Sequence, residues 1–182
     1  MAKRRTGTWI LLALAGLAVA AAIAGRGQWR QQAPAVAPAE VLASYAHDPA
    51  AFTQGLVLHE GRLYESTGLY GRSSVRRVDL ASGNVEAAVP LPPVYFGEGL
   101  TALGNHLYQL TWQNETGIVY EIDSLTIVQT FEYAGEGWGI THDGEHLIVS
   151  DGSASLQFWN PADRTVVRRV EITDEGAPVS RL

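Results

Sequence analysis

Hydrophobic and polar positions follow two different patterns along this chain. Residues 9–24 form an uninterrupted apolar run without a charge, preceded by Lys3, Arg4 and Arg5. Basic residues, then an apolar run, then small residues at Ala22-Ile23-Ala24 are the order of an export signal. Residues 1–24 are expected to form an apolar helix, either a cleaved signal peptide or an uncleaved signal-anchor. A full span usually needs about 20 apolar residues. In both cases the positive-inside rule leaves the rest outside the cytoplasm. The protein is therefore expected to be exported: periplasmic, secreted, or held on the outer face of the cytoplasmic membrane. Membrane contact is expected only through this segment, if it stays uncleaved. Residues 25–44, rich in Pro, Ala and Gln, read as a flexible linker.

From Tyr45 onward the pattern changes to short apolar stretches separated by turn residues. Three segments align: residues 52–64, 96–108 and 136–148. Gly55, Gly99 and Gly139 coincide, and so do Leu63, Leu107 and Leu147. Each segment is two apolar runs around a turn, at His59-Glu60-Gly61, Gly104-Asn105 and Asp143-Gly144. Gly and Asn supply the positive φ that a tight hairpin needs. A second hairpin follows each time, over residues 75–91, 119–131 and 156–172. Leu125 is assigned to a strand over 125–131. Four strands in roughly 40–45 residues are the signature of a β-propeller blade. A β-sandwich has no reason to repeat with this period. The predicted fold is all-β, with three four-stranded blades over 45–172. Propellers usually close with about four to eight blades. Residues 45–182 are accordingly read as a partial propeller of three blades and the start of a fourth. The ends of such an arc expose apolar faces.

Charge and cysteine content narrow the function. Residues 1–40 carry five basic side chains and one acid, and the remainder eight basic and eighteen acidic. An acidic folded part with no basic patch excludes nucleic acid as the main partner. The absence of cysteine removes disulfides, thiolate metal sites and a cysteine nucleophile.

Candidate chemistry lies where the repeats diverge. The residue before the repeated glycine is Gln54, then Glu98, then Trp138. A structural residue would repeat, so these three mark a site assembled from several blades. Trp112 stands level with Gly68 and Gly152, which also singles it out. Packing between blades is the competing role for Trp112 and Trp138, and the better reading for Trp159. Glu98 sits among Tyr95-Phe96-Gly97 and Gly99-Leu100 with no neighbouring cation. A carboxyl desolvated there has a raised pKa and can carry a proton near neutrality. The alternative is a solvated loop carboxylate.

Other motifs carry less. His142 and His146 have the spacing of a helical zinc pair, but Asp143-Gly144 between them makes a turn. Ser150-Asp151-Gly152 lacks the strand-turn-helix context of a nucleophile elbow. Gly97 to Gly99 precedes no helix that could hold a phosphate. His47-Asp48 reads as a strand-end cap, and Asn114-Glu115-Thr116 as a weak glycosylation sequon.

Several stretches jointly resemble the glutamine cyclotransferase family, the plant-type and bacterial glutaminyl-peptide cyclotransferases. They are Tyr45-Ala-His-Asp-Pro-Ala-Ala-Phe-Thr-Gln-Gly-Leu56, Glu65-Ser-Thr-Gly-Leu-Tyr-Gly71, Phe96-Gly-Glu-Gly-Leu100, Gln109-Leu-Thr-Trp112, Gly137-Trp-Gly-Ile-Thr141 and Ser150-Asp-Gly-Ser153. The resemblance implies a five-bladed propeller that converts N-terminal glutamine of peptides or proteins to pyroglutamate and releases ammonia. It implies Glu98 as the catalytic carboxyl, and Phe52, Gln54, Trp112 and Trp138 as the substrate pocket. The residue types fit that chemistry: tryptophan N–H groups can hydrogen-bond the carbonyl oxygen as negative charge develops on it, and no cofactor or metal is required. Ala46 stands where the family usually has Pro. The chain ends before the family's further pocket segments. The alternative function is a non-catalytic exported propeller that binds peptides or proteins.

Overall fold

The structure is a computed structural model that describes residues 37–179 and residue 181. The segment 1–24, its expected apolar helix and the first part of the linker lie outside the described residues. Residues 37–48 have no regular secondary structure.

Twelve strands build three four-stranded antiparallel sheets. The first contains β1 (Thr53–His59), β2 (Arg62–Thr67), β3 (Ser74–Val78) and β4 (Val85–Pro90), paired in chain order. The second contains β5 (Gly97–Leu103), β6 (His106–Thr111), β7 (Thr116–Glu121) and β8 (Ile127–Glu132). The third contains β9 (Ile140–His142), β10 (Leu147–Val149), β11 (Ser155–Trp159) and β12 (Val166–Glu171). A separate hairpin follows, β13 (Thr173–Asp174) with β14 (Ala177–Pro178). No helix occurs among the described residues.

Local chemistry explains the strand boundaries. Glu60 and Gly61 both take positive φ, 47° and 78°, between β1 and β2. Two such residues give a turn whose twist matches its flanking strands. Leu125 departs from the sequence reading. It lies in the turn before β8, at φ 55°, with its side chain 2% exposed. Burial of the leucine in the core offsets the left-handed backbone there.

The sheets stack in sequence, and the second is covered on both faces. Along β6, Leu107 joins the core shared with the first sheet, with Tyr64, Val75, Leu100 and Tyr120. Its neighbours Tyr108 and Leu110 join the core shared with the third sheet, with Ile140, Val149 and Trp159. Alternation of period two thus feeds two cores from one strand. The outer strands β4, β8 and β12 are largely exposed. On β1, Leu56 and Leu58 are 56% and 59% exposed.

The repeated glycines set how closely the sheets meet. A Cβ on Gly55 would lie 2.5 Å from the Leu100 nitrogen, and one on Gly99 2.6 Å from the Trp138 carbonyl oxygen. The Gly99 N–H also donates to that oxygen at 2.8 Å. First strands of neighbouring sheets abut backbone to backbone, which only glycine permits. The result is a propeller-like arrangement in which β1, β5 and the segment leading to β9 converge on one face.

Candidate active site

The divergent residues lie at that convergence. Gln54 is at the start of β1 and Glu98 at the start of β5. The Gln54 Nε2 donates to Glu98 Oε1 at 2.9 Å, across the junction of the first two sheets. Burial pushes the half-buried Glu98 carboxyl up to about 7; the Gln54 hydrogen bond pulls against this and the charge of Glu136 adds to it. Desolvation without a cation disfavours the carboxylate, so both protonation states are accessible near neutrality.

Trp112 follows β6 and Trp138 precedes β9, and the two meet at one acid. Both indole Nε1–H groups donate to Glu136 Oε2, each at 2.8 Å. Gln113 Nε2 donates to Oε1 of the same carboxylate at 3.0 Å. Bonds from Trp138, Gln113 and Trp112 hold Glu136 below the usual carboxylate range. In this structure both indole N–H groups are taken by Glu136. A charged acceptor competes for N–H donors better than a neutral carbonyl does.

Aromatic rings complete the surroundings. Phe52, on the surface, meets Phe96 edge-on with centroids 6.0 Å apart, and Phe96 meets Trp112 at 5.8 Å. Tyr70 lies against Phe96 at 5.5 Å. The positions level with Trp112 explain themselves sterically. A Cβ on Gly68 would strike the Phe96 ring, and one on Gly152 would lie 2.8 Å from the Trp138 ring.

The structure therefore gathers Phe52, Gln54, Glu98, Trp112 and Trp138 on one face, joined through Phe96 and Glu136. Phe96 and Glu136 are not among the residues that the sequence pattern singles out. The signal was present in the alignment, since Phe52, Phe96 and Glu136 occupy one repeat position. The divergence that singles out Glu98 recurs two positions earlier in the repeat.

Other motifs resolve as packing or capping. Trp159 is 3% exposed and packs against Phe131 and Tyr133. Asp48 accepts from the Ala50 N–H at 2.9 Å, and His47 bonds Glu65 at 2.8 Å. His146 pairs with Asp143 at 3.6 Å in the turn after β9. A cavity lined by His59, Arg62, Tyr64, Asn105 and Asp123 lies at the opposite, turn-bearing end of the sheets.

Fold and site together define a propeller-like protein whose converging first strands hold a proton-accessible carboxyl within an aromatic cluster. Residues 10–182 match the family described as glutamine cyclotransferase. A glutaminyl-peptide cyclotransferase of Arabidopsis thaliana is 44% identical over 146 residues, covering 79% of this chain and 45% of the relative. The crystal structure of Myxococcus xanthus glutaminyl cyclase is 34% identical with a TM-score of 0.72, over 78% of this chain and 60% of that one. The Neurospora crassa Pan2 WD40 domain shares the fold alone, with a TM-score of 0.56 at 9% identity. The chain belongs to the glutamine cyclotransferase family. It spans about half the length of the curated relative it matches.

Proposed function

We propose that this chain carries the catalytic carboxyl of an exported glutaminyl-peptide cyclotransferase, acting on peptides or proteins with N-terminal glutamine. The observation that carries the reading is Glu98, half-buried, bonded by the neutral Gln54 amide and poised near pH 7. Names of relatives at 44% and 34% identity support it.

The chemistry is proton transfer plus a ring closure. The neutral α-amine of the substrate attacks the carbon of its own side-chain amide, forming the new C–N bond. Glu98 takes one proton from the attacking nitrogen and delivers it to the departing amide nitrogen. The old C–N bond breaks, and ammonia leaves. A carboxyl that titrates near the working pH suits both transfers. Attack is intramolecular, so the pocket need only hold one rotamer of the glutamine side chain. Phe52, Phe96, Trp112 and Trp138 supply apolar walls for that side chain, and Gln54 orients Glu98. No cofactor or metal enters these steps.

The finer architecture belongs to the same proposal. Residues 45–182 contribute three blades and the start of a fourth to a five-bladed ring, behind a signal or anchor at 1–24 and a linker at 25–44. Exposure of Leu56 and Leu58 on β1 supports a further apolar surface against that strand. The test is ammonia release from a peptide with N-terminal glutamine, with the product's mass loss confirmed by mass spectrometry. N-terminal asparagine and internal glutamine peptides are expected to be inert. Peptide binding without ammonia release would favour the non-catalytic reading.

A further inference from the structure

We propose that Glu136 is a positioning residue: one carboxylate oxygen locks the indoles of Trp112 and Trp138 into fixed walls and sets an acid at the junction that holds Glu98. The inference rests on the reading of the site as a cyclase pocket, but its geometry is independent of that reading.

Three observations converge on Glu136. The two tryptophans come from different sheets, and Oε2 of Glu136 is the acceptor they share, at 2.8 Å each. Its other oxygen is held by Gln113 at 3.0 Å, so the carboxylate has little freedom to rotate. The backbone beneath is pinned on both sides, with Gly137 N–H donating to the Trp112 carbonyl at 2.9 Å and Trp138 N–H to the Ser150 carbonyl at 3.0 Å. An acid at this point fixes two large, partly exposed rings that have solvent on one side. Charge-assisted bonds of this kind are about twice as strong as neutral ones.

The clamp also decides what the indoles do. Their N–H groups are committed to Glu136, so the rings offer π-faces and edges to the pocket. An ammonium brought against those faces would have the Glu136 carboxylate at the ring edges, which suits a substrate that arrives as a cation. Glu136 and Glu98 are linked through the backbone, since the Gly99 N–H next to Glu98 donates at 2.8 Å to the carbonyl of Trp138, two residues from Glu136; the charge of Glu136 raises Glu98, and that of Glu98 raises Tyr133. Tyr133 donates its hydroxyl proton to the Thr111 carbonyl, and burial pushes it up to about 12. It stays neutral over the working range, which leaves Glu136 as the charge that Glu98 feels.

Glu136→Gln and Glu136→Ala in the full chain separate the clamp from the charge. The amide oxygen of Gln can accept both indoles but carries no charge; Ala removes both functions. The readouts are the indole ¹H–¹⁵N signals of Trp112 and Trp138, the ¹³C-carboxyl titration of Glu98, and kcat and KM on an N-terminal glutamine peptide. Glu136→Ala is expected to move both indole signals, speed their hydrogen exchange and lower kcat/KM by about 10²-fold through misplaced walls. Glu136→Gln is expected to keep the indole signals. It should move the Glu98 midpoint, and the acid limb of kcat/KM, down by about one pH unit, because a like charge has gone. Unmoved indole signals in Glu136→Ala overturn the clamp, and an unmoved Glu98 midpoint in Glu136→Gln overturns the charge. If Glu136→Ala does not fold, loss of the indole signals in Glu136→Gln overturns the clamp instead. If the wild-type chain releases no ammonia while both spectroscopic changes occur, the cyclase reading fails and the role of Glu136 as clamp and charge stands.

Discussion

Two glutamates served by opposite faces of β1 have opposite surroundings. Glu65 on β2 is 1% exposed and fully compensated: His47 bonds it at 2.8 Å, Thr53 donates to it at 2.5 Å, and Arg76 lies 3.8 Å away. Arg76 is itself held by Asp48 at 2.9 Å and by the Ser74 hydroxyl. Glu98 is less buried, yet it has a neutral amide for a donor and a like charge for a neighbour. Consecutive residues of β1 serve the two sites, Thr53 on one side and Gln54 on the other, as strand alternation requires. Burial alone therefore does not make a reactive carboxyl. The partners decide it: an imidazole, a hydroxyl and an arginine tie Glu65 into place, whereas Glu98 has a neutral amide and a neighbouring acid, which leaves it able to exchange a proton.

The largest expected effect falls on Glu98. Glu98→Gln keeps the shape and the bond partner but cannot carry a proton. Turnover should fall by about 10²–10⁴-fold with little change in KM and no loss of melting temperature. Kinetics and a thermal melt on this one variant decide the matter. A wild-type turnover would end the catalytic assignment, whereas a raised KM with turnover preserved would make Glu98 a binding group only.

Glu65 should behave the other way. Glu65→Ala strands His47, Thr53 and Arg76 and is expected to cost about 2 kcal/mol of stability. Turnover per folded molecule should stay close to wild type. Urea denaturation together with active-site-normalised rates checks both halves. A stable Glu65→Ala variant with lost turnover would show that the contrast between the two acids has been drawn the wrong way round.

The smallest effect is a pH dependence of stability. The folded-state pKa of Glu98 is raised from 4.5 to about 7, so its protonated form is the favoured one in the fold. The stability this contributes is present below about pH 4.5 and is lost as pH rises through about 7. Relative to wild type, Glu98→Gln should gain stability across that window. Its melting temperature is expected to pull ahead by about 2–4 °C by pH 8, measured by calorimetry. A constant offset from pH 4.5 to 8 would mean that Glu98 titrates at its ordinary value.

Most of the architecture was legible from local chemistry. The glycine period, the turn residues at Glu60-Gly61 and Gly104-Asn105, and the alternation in β6 are properties of neighbouring residues, and they gave three four-stranded units at the observed places. Divergence before the repeated glycine identified Gln54 and Glu98 for the same reason, since the repeat itself supplies the comparison. Leu125 escaped because a turn and a core position coincide there, and only packing against the first sheet shows that burial prevails over backbone preference. Glu136 escaped more fully. It stands 24 residues from Trp112, in a Gly-rich loop that reads as solvent-exposed. The sequence determined which side chains were available at each strand end. The close approach of the first strands, set by glycines without a Cβ, decided which of them share a hydrogen bond. Indole donors from two sheets could be assigned to one carboxylate only once that approach had brought their ends to the same point.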